Sequence, residues 1–480
     1  MNVDKINVNE TLSKAEALLK EEKGLSPSLR AVIEILIMFV KVFVGRLNKN
    51  STNSSTPPSA DKKRIRGSKK DKSNKKPGGQ NGHNGYRLEK VNKPDEIKYI
   101  QIDKRTLPHG QYRDMGYESR QVIDFNISKI VTEYRAQVLE DKLGNRYVAE
   151  FPDDVKTDVQ YGNHVKSHAV YLSQFQLLPY LRIQNYFEEK MKIPVSTGSL
   201  FNFNKEAYAL LDKFEFVVKT QLQKEQVLHS DETGINVNKK TIWLHSVSSK
   251  LWSYFYPHEK RGREAMDEMG VLPKFTGTLV HDHWKPYYTY SCKHALCNAH
   301  HIRELTYAAE EENQKWAANM RELLLEIDDA VNKTTIGALS VNMCKGFEKR
   351  YGEIIKLGEK QCPVPETKGK PKRGRIKKSK SRNLLERLKD FKEDVLRFMY
   401  DRHVPFTNNK GENDLRMTKV QQKISGCFRS IEGAHIFCRI RSYLLTCQKH
   451  NVTMTEALEL LFQGKMPKFL DDLFTLPGNR

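Results

Sequence analysis

The chain has 480 residues, more than one ordinary hydrophobic core holds, so several structural units are expected. Seven cysteines, an odd number without framework spacing, exclude a disulfide scaffold and point to reduced thiols in the cytoplasm. The net charge of +22 is mostly local: residues 61–76 carry nine basic and two acidic residues, 368–382 carry nine basic and none acidic, and together they hold +16 of it. Two such blocks in polar sequence read as arms for a polyanion, nucleic acid ahead of an anionic membrane surface.

In chain order, residues 10–24 place Leu12, Ala15, Leu18 and Leu19 on one helical face. Ser26 and Pro27 then cap and open a second helix that runs to residue 47. Its apolar residues nearly surround it, so either a local helical hairpin or a coiled-coil-like contact with a second copy is expected. The most apolar stretch, 31–44, contains Glu34 and Lys41 and is too short to span a bilayer. No signal peptide precedes it, because the start is polar and acidic. Residues 48–94 are basic and poor in apolar side chains, which predicts a disordered linker. Lys69 and Lys70 sit within it, as does a glycine-rich run, 76–85, that lacks the flanking strand and helix of a phosphate cradle.

Residues 95–160 alternate apolar and polar side chains in short runs and predict a small β-rich unit. Residues 161–225 turn helical. One helix is expected over 174–191 and another over 197–211, a spacing compatible with a DNA-reading helix-turn-helix or with ordinary helical packing. The clearest order lies at 226–300: strands at 227–237, 241–247 and 251–256, a short helix at 262–269, then strands at 278–281 and 294–297. A helical region follows at 301–402 with a basic loop at 363–382, then 403–425 rejoins the core, and 426–480 is again helical.

Three carboxylates stand out. Asp231 lies within the first core strand, Asp282 ends the fourth, and Glu412 opens a helix after Asn408. Their residue types suit a pair of Mg²⁺ ions, which take oxygen ligands and, some 4 Å apart, activate a hydroxyl and offset charge at phosphorus; Mn²⁺ could substitute. Strand-borne aspartates can equally be surface positions, and Glu412 could simply pair with Arg416 on its own helix. Asp414 and Glu232 are alternative ligands. Arg416, Lys419 and Lys423 share the face of Glu412 and could grip phosphates. His300, His301 and Arg303 could line the same site. Cys292, His294, Cys297, His300 and His301 include zinc-ligand types, but a strand through part of this run would send them to both faces, so no zinc is expected. Arg373 and Arg375 flank Gly374 in a stretch like an A·T-hook, able to enter a narrow minor groove or simply to hold phosphates.

Several motifs carry a resemblance: HSDETGINV (229–237), PHEKRGREAM (257–266), GVLPKFTGTLVHDHWKPYY (270–288), HALCNAHHIREL (294–305), VPFTNNKGENDLRM (404–417), KISGCFRSIEGAHIFCRIRSYLLT (423–446) and the upstream KKPGGQNGHNG (75–85). Together they resemble the insertion-sequence-66 family of DDE transposases across 160–465. The resemblance implies a multidomain α/β chain with a ribonuclease-H-like mixed sheet and a helical insertion. It maps the DDE triad onto Asp231, Asp282 and Glu412. It also implies double-stranded DNA as partner, a homo-oligomer, accessory proteins from the same element and a place beside the bacterial nucleoid, with no membrane. The implied activity is metal-dependent strand cleavage and strand transfer. A regulator that only binds DNA, and a nuclease that cuts without joining, are the alternatives. Members often carry a cysteine zinc module before the catalytic region; 95–155 holds no cysteine, so that module is degenerate here.

If the first basic block grips phosphates, deleting 61–76 will flatten the plot of log affinity against log salt by about 0.9 for each phosphate that the block neutralises. An unchanged slope would make the block a spacer.

Overall fold

The computed structural model describes residues 2–3, 6–22, 24–47, 88–334, 337–364 and 378–474. Lys69, Lys70, Arg373 and Arg375, with nearly all of the basic linker and loop, lie outside them.

The N-terminal segment opens with a pairing of β1 (Asn2–Val3) and β2 (Ile6–Asn7), followed by helices α1 (Val8–Glu21) and α2 (Pro27–Leu47) packed on each other. Much of the apolar surface of α2 stays uncovered, with Val32, Ile35, Leu36, Phe39 and Phe43 all exposed.

The expected β-rich unit at 95–160 contains only the hairpin β3 (Val138–Glu140) and β4 (Arg146–Val148) and a single helical turn at Lys104–Thr106. Val122, Phe125 and Ile130 remain more than four-fifths exposed. Alternation marks residues able to pair, but a strand forms only where a second strand lies opposite, and in 95–160 that happens only in this hairpin.

The expected single helix at 174–191 is also broken. Instead α3 (Asn163–Val170) continues as a wide turn to Phe175, Leu177 adopts a left-handed backbone (φ 61°), and α4 (Tyr180–Tyr186) restarts after Pro179. Proline has no N–H to continue a helix and disfavours helical backbone before it. Leu177 drops into the core at 2% exposure. Next come α5 (Thr197–Leu210), capped by Ser196, and α6 (Asp212–Lys224).

The central sheet has five strands: β5 (Val227–Val237), β6 (Lys240–Ser248), β7 (Ser253–His258), β8 (Thr278–His281) and β9 (Lys293–Leu296). Their spatial order is β7-β6-β5-β8-β9. The first three run antiparallel as a meander, while β8 and β9 run parallel to β5. Helix α7 (Arg263–Met269) forms part of the crossover from β7 to β8. Five helices follow β9: α8 (Asn298–Glu311), α9 (Lys315–Lys333), α10 (Val341–Gln361), α11 (Lys380–Asp390) and α12 (Lys392–Tyr400). They share one core with β8 and β9 around Trp316, Leu324, Tyr351 and Leu385. The chain returns as α13 (Asn409–Ser425), α14 (Ile431–Lys449), α15 (Met454–Phe462) and α16 (Lys468–Phe474).

Alternation along the strands divides the sheet into two faces. Leu228 and Leu279 face a core built with α3 to α6, α14 and α15, while Ile235, Val237 and Leu244 pack with Leu415, Phe428 and Phe437 from α13, the segment after it and α14. Edge strand β7 is not left open: Ser442 and Thr446 of α14 accept hydrogen bonds from the backbone N–H groups of Phe255 and Ser253. Covering an edge in this way blocks pairing with another chain.

Gly277 enters β8 where the chain is tightest. A Cβ there would lie 2.5 Å from the Gln226 carbonyl oxygen and 2.8 Å from that of Glu225. Gly277→Ala is expected to destabilise the chain by about 1–3 kcal/mol through backbone displacement, measurable by denaturant unfolding. Wild-type stability in that variant would mean that β8 can move freely against β5.

Candidate functional site: an acidic edge of the central sheet

The parallel pairing of β5 with β8 matches Val227 to Thr278, Leu228 to Leu279 and His229 to Val280. Each pair differs by 51 residues. Asp231, within β5, and Asp282, one residue past the end of β8, are separated by the same 51 residues, and Asp282 lies close enough to raise the Asp231 carboxyl. The pairing of β8 with β9 extends in the same way from Asp282 to Cys297.

Asp282 begins a sharp turn. Its Oδ1 accepts the Trp284 N–H at 3.0 Å, and His283 between them has φ 74°. Positive φ at a residue with a side chain is strained and clusters at functional positions.

Glu412 reaches the site through α13. Asn408 occupies the start of that helix but does not cap it with its side chain. The amide instead donates from Nδ2 to the Ser230 carbonyl at 2.9 Å and pairs through Oδ1 with His229 Nδ1 at 2.8 Å. Its backbone N–H donates to Cys297 Sγ at 3.1 Å. One buried asparagine thus ties the helix to the ends of β5 and β9. A Cβ on Gly411 would come within 3.2 Å of the Asn408 amide, so glycine there leaves room for it. The far end of α13 is tied as well: Phe428 exchanges backbone hydrogen bonds with Asn236 and Asn238 beside β5. Lys419 Nζ donates to the Gly234 carbonyl at 2.6 Å midway. Helix and strand run side by side, at about 25 Å for 17 helical residues.

Burial, the adjacent Glu232, then Asp282 and, more weakly, Glu412 push the Asp231 carboxyl well above its usual range, against the pull of the Glu232 N–H. Two basic residues of α8 approach Glu412: His300 Nδ1 and an Arg303 nitrogen each lie 4.0 Å from its Oε1. His300 Nδ1 and Glu412 Oε1 are both enclosed without a hydrogen-bond partner. Buried polar atoms are normally paired, and orphans mark places where an ion or water belongs. Asp282 and, more weakly, Glu412 act electrostatically on Asp231, but among the described residues the ligand atoms of Glu412 group within 4.8 Å with those of Cys297 and His300 and not with the aspartates. The carboxylate oxygens are of the type a hard divalent cation takes.

The alternative carboxylates are engaged elsewhere. Glu232 accepts from Arg261 and from Tyr287 Oη at 2.6 Å on the other face, with Arg261 stacked between Trp243 and Trp284. Asp414 pairs with Lys449 at 3.3 Å and accepts from Ser253. Arg416 and Lys423 are exposed along α13, and Arg303 is partly exposed beside Glu412. His301 points inward at 2% exposure, with Nδ1 against Asn298 Oδ1, so it faces the protein interior. His294 pairs with His281 at 3.1 Å on the opposite face from Cys297. Sequence reasoning takes Asn408 and Gly411 for no more than a helix start; the only signal of their roles is their spacing before Glu412.

The fold defines a mixed α/β protein with Asp231, Asp282 and Glu412 beside its central strands. The chain belongs to the Transposase IS66 family, whose model matches residues 158–436 and spans all three carboxylates. Residues 3–89 match a second family, one of unknown function. No curated protein matches the chain. Among the described residues no helix is long and apolar enough to cross a membrane.

A carboxyl whose folded value is raised costs stability once it ionises: the contribution is full below its ordinary value of 3.8 and is lost as pH rises through the folded value. Without divalent ions, Asp231→Asn is therefore expected to raise Tm at neutral pH, by about 2–4 °C for each kcal/mol relieved. The gain should shrink as pH falls toward 3.8. A lower Tm at neutral pH would show that Asp231 is not under electrostatic strain.

Proposed function

We propose that this transposase is a DDE enzyme that binds the ends of a mobile element, cuts a strand at each end and joins it to target DNA. The observation that supports the reading is the 51-residue offset of β5 and β8, which Asp231 and Asp282 share, together with the hydrogen bond from Asn408, four residues before Glu412, to the Ser230 carbonyl. The order of antiparallel meander followed by two parallel strands supports a ribonuclease-H-like core.

Asp231, Asp282 and Glu412 would hold two divalent ions, Mg²⁺ or Mn²⁺. When bound, such a pair activates the attacking hydroxyl and offsets charge at phosphorus. The protein supplies the rest. Asp231 would present its oxygens from within β5 and Asp282 from just past the end of β8, and the Asx turn at Asp282 leaves its other oxygen free of the Trp284 contact. Arg303 and His300 flank Glu412 at 4.0 Å, where they would steady a phosphate. Arg416 and Lys423 would track the DNA backbone along α13, with the blocks around Lys69, Lys70, Arg373 and Arg375 adding grip. Lys419 serves first as a tie to Gly234, and buried His301 is left out of the contact surface. In the first step water attacks the phosphodiester, and the bond to the 3′ oxygen breaks. In the second, that 3′-hydroxyl attacks a target phosphate, joining the strands and releasing a target 3′ end. Exposed apolar residues on α2 support self-association, which would bring two element ends together. The outer face of α5, with Asn202 and Lys205, is the proposed reading helix.

Purified protein with Mg²⁺ and labelled DNA bearing its own element's end should yield joined product. Asp231→Asn and Glu412→Gln are expected to lose more than about 100-fold in cleavage while keeping DNA affinity. Full cleavage by either variant would sink the assignment. Cleavage without joining would favour a nuclease, and binding alone a regulator.

A further inference from the structure

We infer that the edge carrying Glu412 also forms a site for one thiophilic divalent ion of the zinc class, built from Cys297, His300 and Glu412, whose occupation switches the enzyme off. The inhibitory part rests on the proposed role of Glu412.

One ligand atom from each of these three residues lies within 4.8 Å of the others. Cys297 directly follows β9, His300 sits in the first turn of α8 and Glu412 in the first turn of α13. Three elements meeting at a point give the ligands separate, fixed backbones. Ten enclosed side-chain atoms lack a partner among the described residues, and two of them, His300 Nδ1 and Glu412 Oε1, face each other here. A tetrahedral ion with bonds of about 2.0–2.3 Å spaces its ligands about 3.3–3.8 Å apart, so shifts of about 1 Å complete the set. A fourth position stays open to water or a phosphate oxygen.

The donor types select the ion. Sulfur and imidazole favour zinc-class metals, whereas Mg²⁺ takes oxygen. His300 offers Nδ1, a ring nitrogen enclosed without a hydrogen-bond partner. Cys297 binds such an ion as the thiolate, so binding releases its proton to solvent. Arg303, 4.0 Å from the same Glu412 oxygen, is the cation that an incoming ion displaces. Because Glu412 serves both sets, a thiophilic ion here takes the third carboxylate away from the Mg²⁺ pair.

Co²⁺ titrated into the full-length protein is the direct probe, read by thiolate-to-cobalt charge-transfer absorption. One equivalent should give the band, and Cys297→Ser should lose it, as should His300→Ala. The serine hydroxyl can still accept the Asn408 N–H, so Cys297→Ser should cut DNA with Mg²⁺ as wild type does. Half-inhibition by Zn²⁺ should then need at least about 10-fold more ion in that variant. No band in the wild type, or a band surviving in Cys297→Ser, overturns the site. A Cys297-dependent band with cleavage indifferent to Zn²⁺ overturns the switch. A Cys297-dependent band in a protein that never cuts DNA with Mg²⁺ leaves the ion site standing and removes the DDE reading instead.

Discussion

The tie between Asn408 and the sheet is the contact on which the acidic edge depends. A strand and a helix 179 residues apart meet through one amide, which faces His229 Nδ1 and the Ser230 carbonyl immediately before Asp231. Without it a buried carbonyl and a buried imidazole would be unpaired, at about 1–3 kcal/mol each. The Phe428 pairing at the other end of α13 fixes the helix direction. With both ends held, Glu412 cannot drift along β5, and its distance from Asp231 is set by backbone rather than by side-chain choice. Metal-binding constellations gain from such placement on regular elements.

The sheet then separates two kinds of acid. Odd-numbered positions of β5 face α13, so Asp231 looks toward Glu412, while Glu232 on the other face is absorbed by Arg261 and Tyr287. Burial opposes the ionisation of both neighbouring carboxylates. For Glu232 the partners Tyr287 and Arg261 offset part of that, whereas no cation among the described residues pairs with Asp231. Keeping Asp231 in this setting costs the fold some stability.

Most of the sheet is legible in the sequence because strand periodicity and turn residues agree there. The expected strand at 227–237 matches β5, and 278–281 matches β8; the third strand begins two residues later than expected because Ser249 to Trp252 close a turn. Asp282 is legible because it sits where an apolar run meets a turn, and Asp231 because it stands within the first core strand. The amide of Asn408 is not, because its partners are brought close only by folding. The departures at 95–160 and 174–191 share a cause. Local pattern shows what a segment can form, whereas a partner strand, or a buried Leu177 beside a proline, decides what it does form.

The helices α8 to α12 leave and rejoin the sheet at almost the same point. The Asn298 N–H donates to the Phe406 carbonyl at 3.0 Å, and Cys297 meets Asn408 across 111 residues of chain. A loop with joined ends places few demands on its own length, because closure entropy grows only slowly with added residues. The segment could therefore grow, shrink or be exchanged between relatives without moving Asp282 or Glu412. That freedom makes it the natural place for lineages sharing one chemistry to diverge in the DNA they handle.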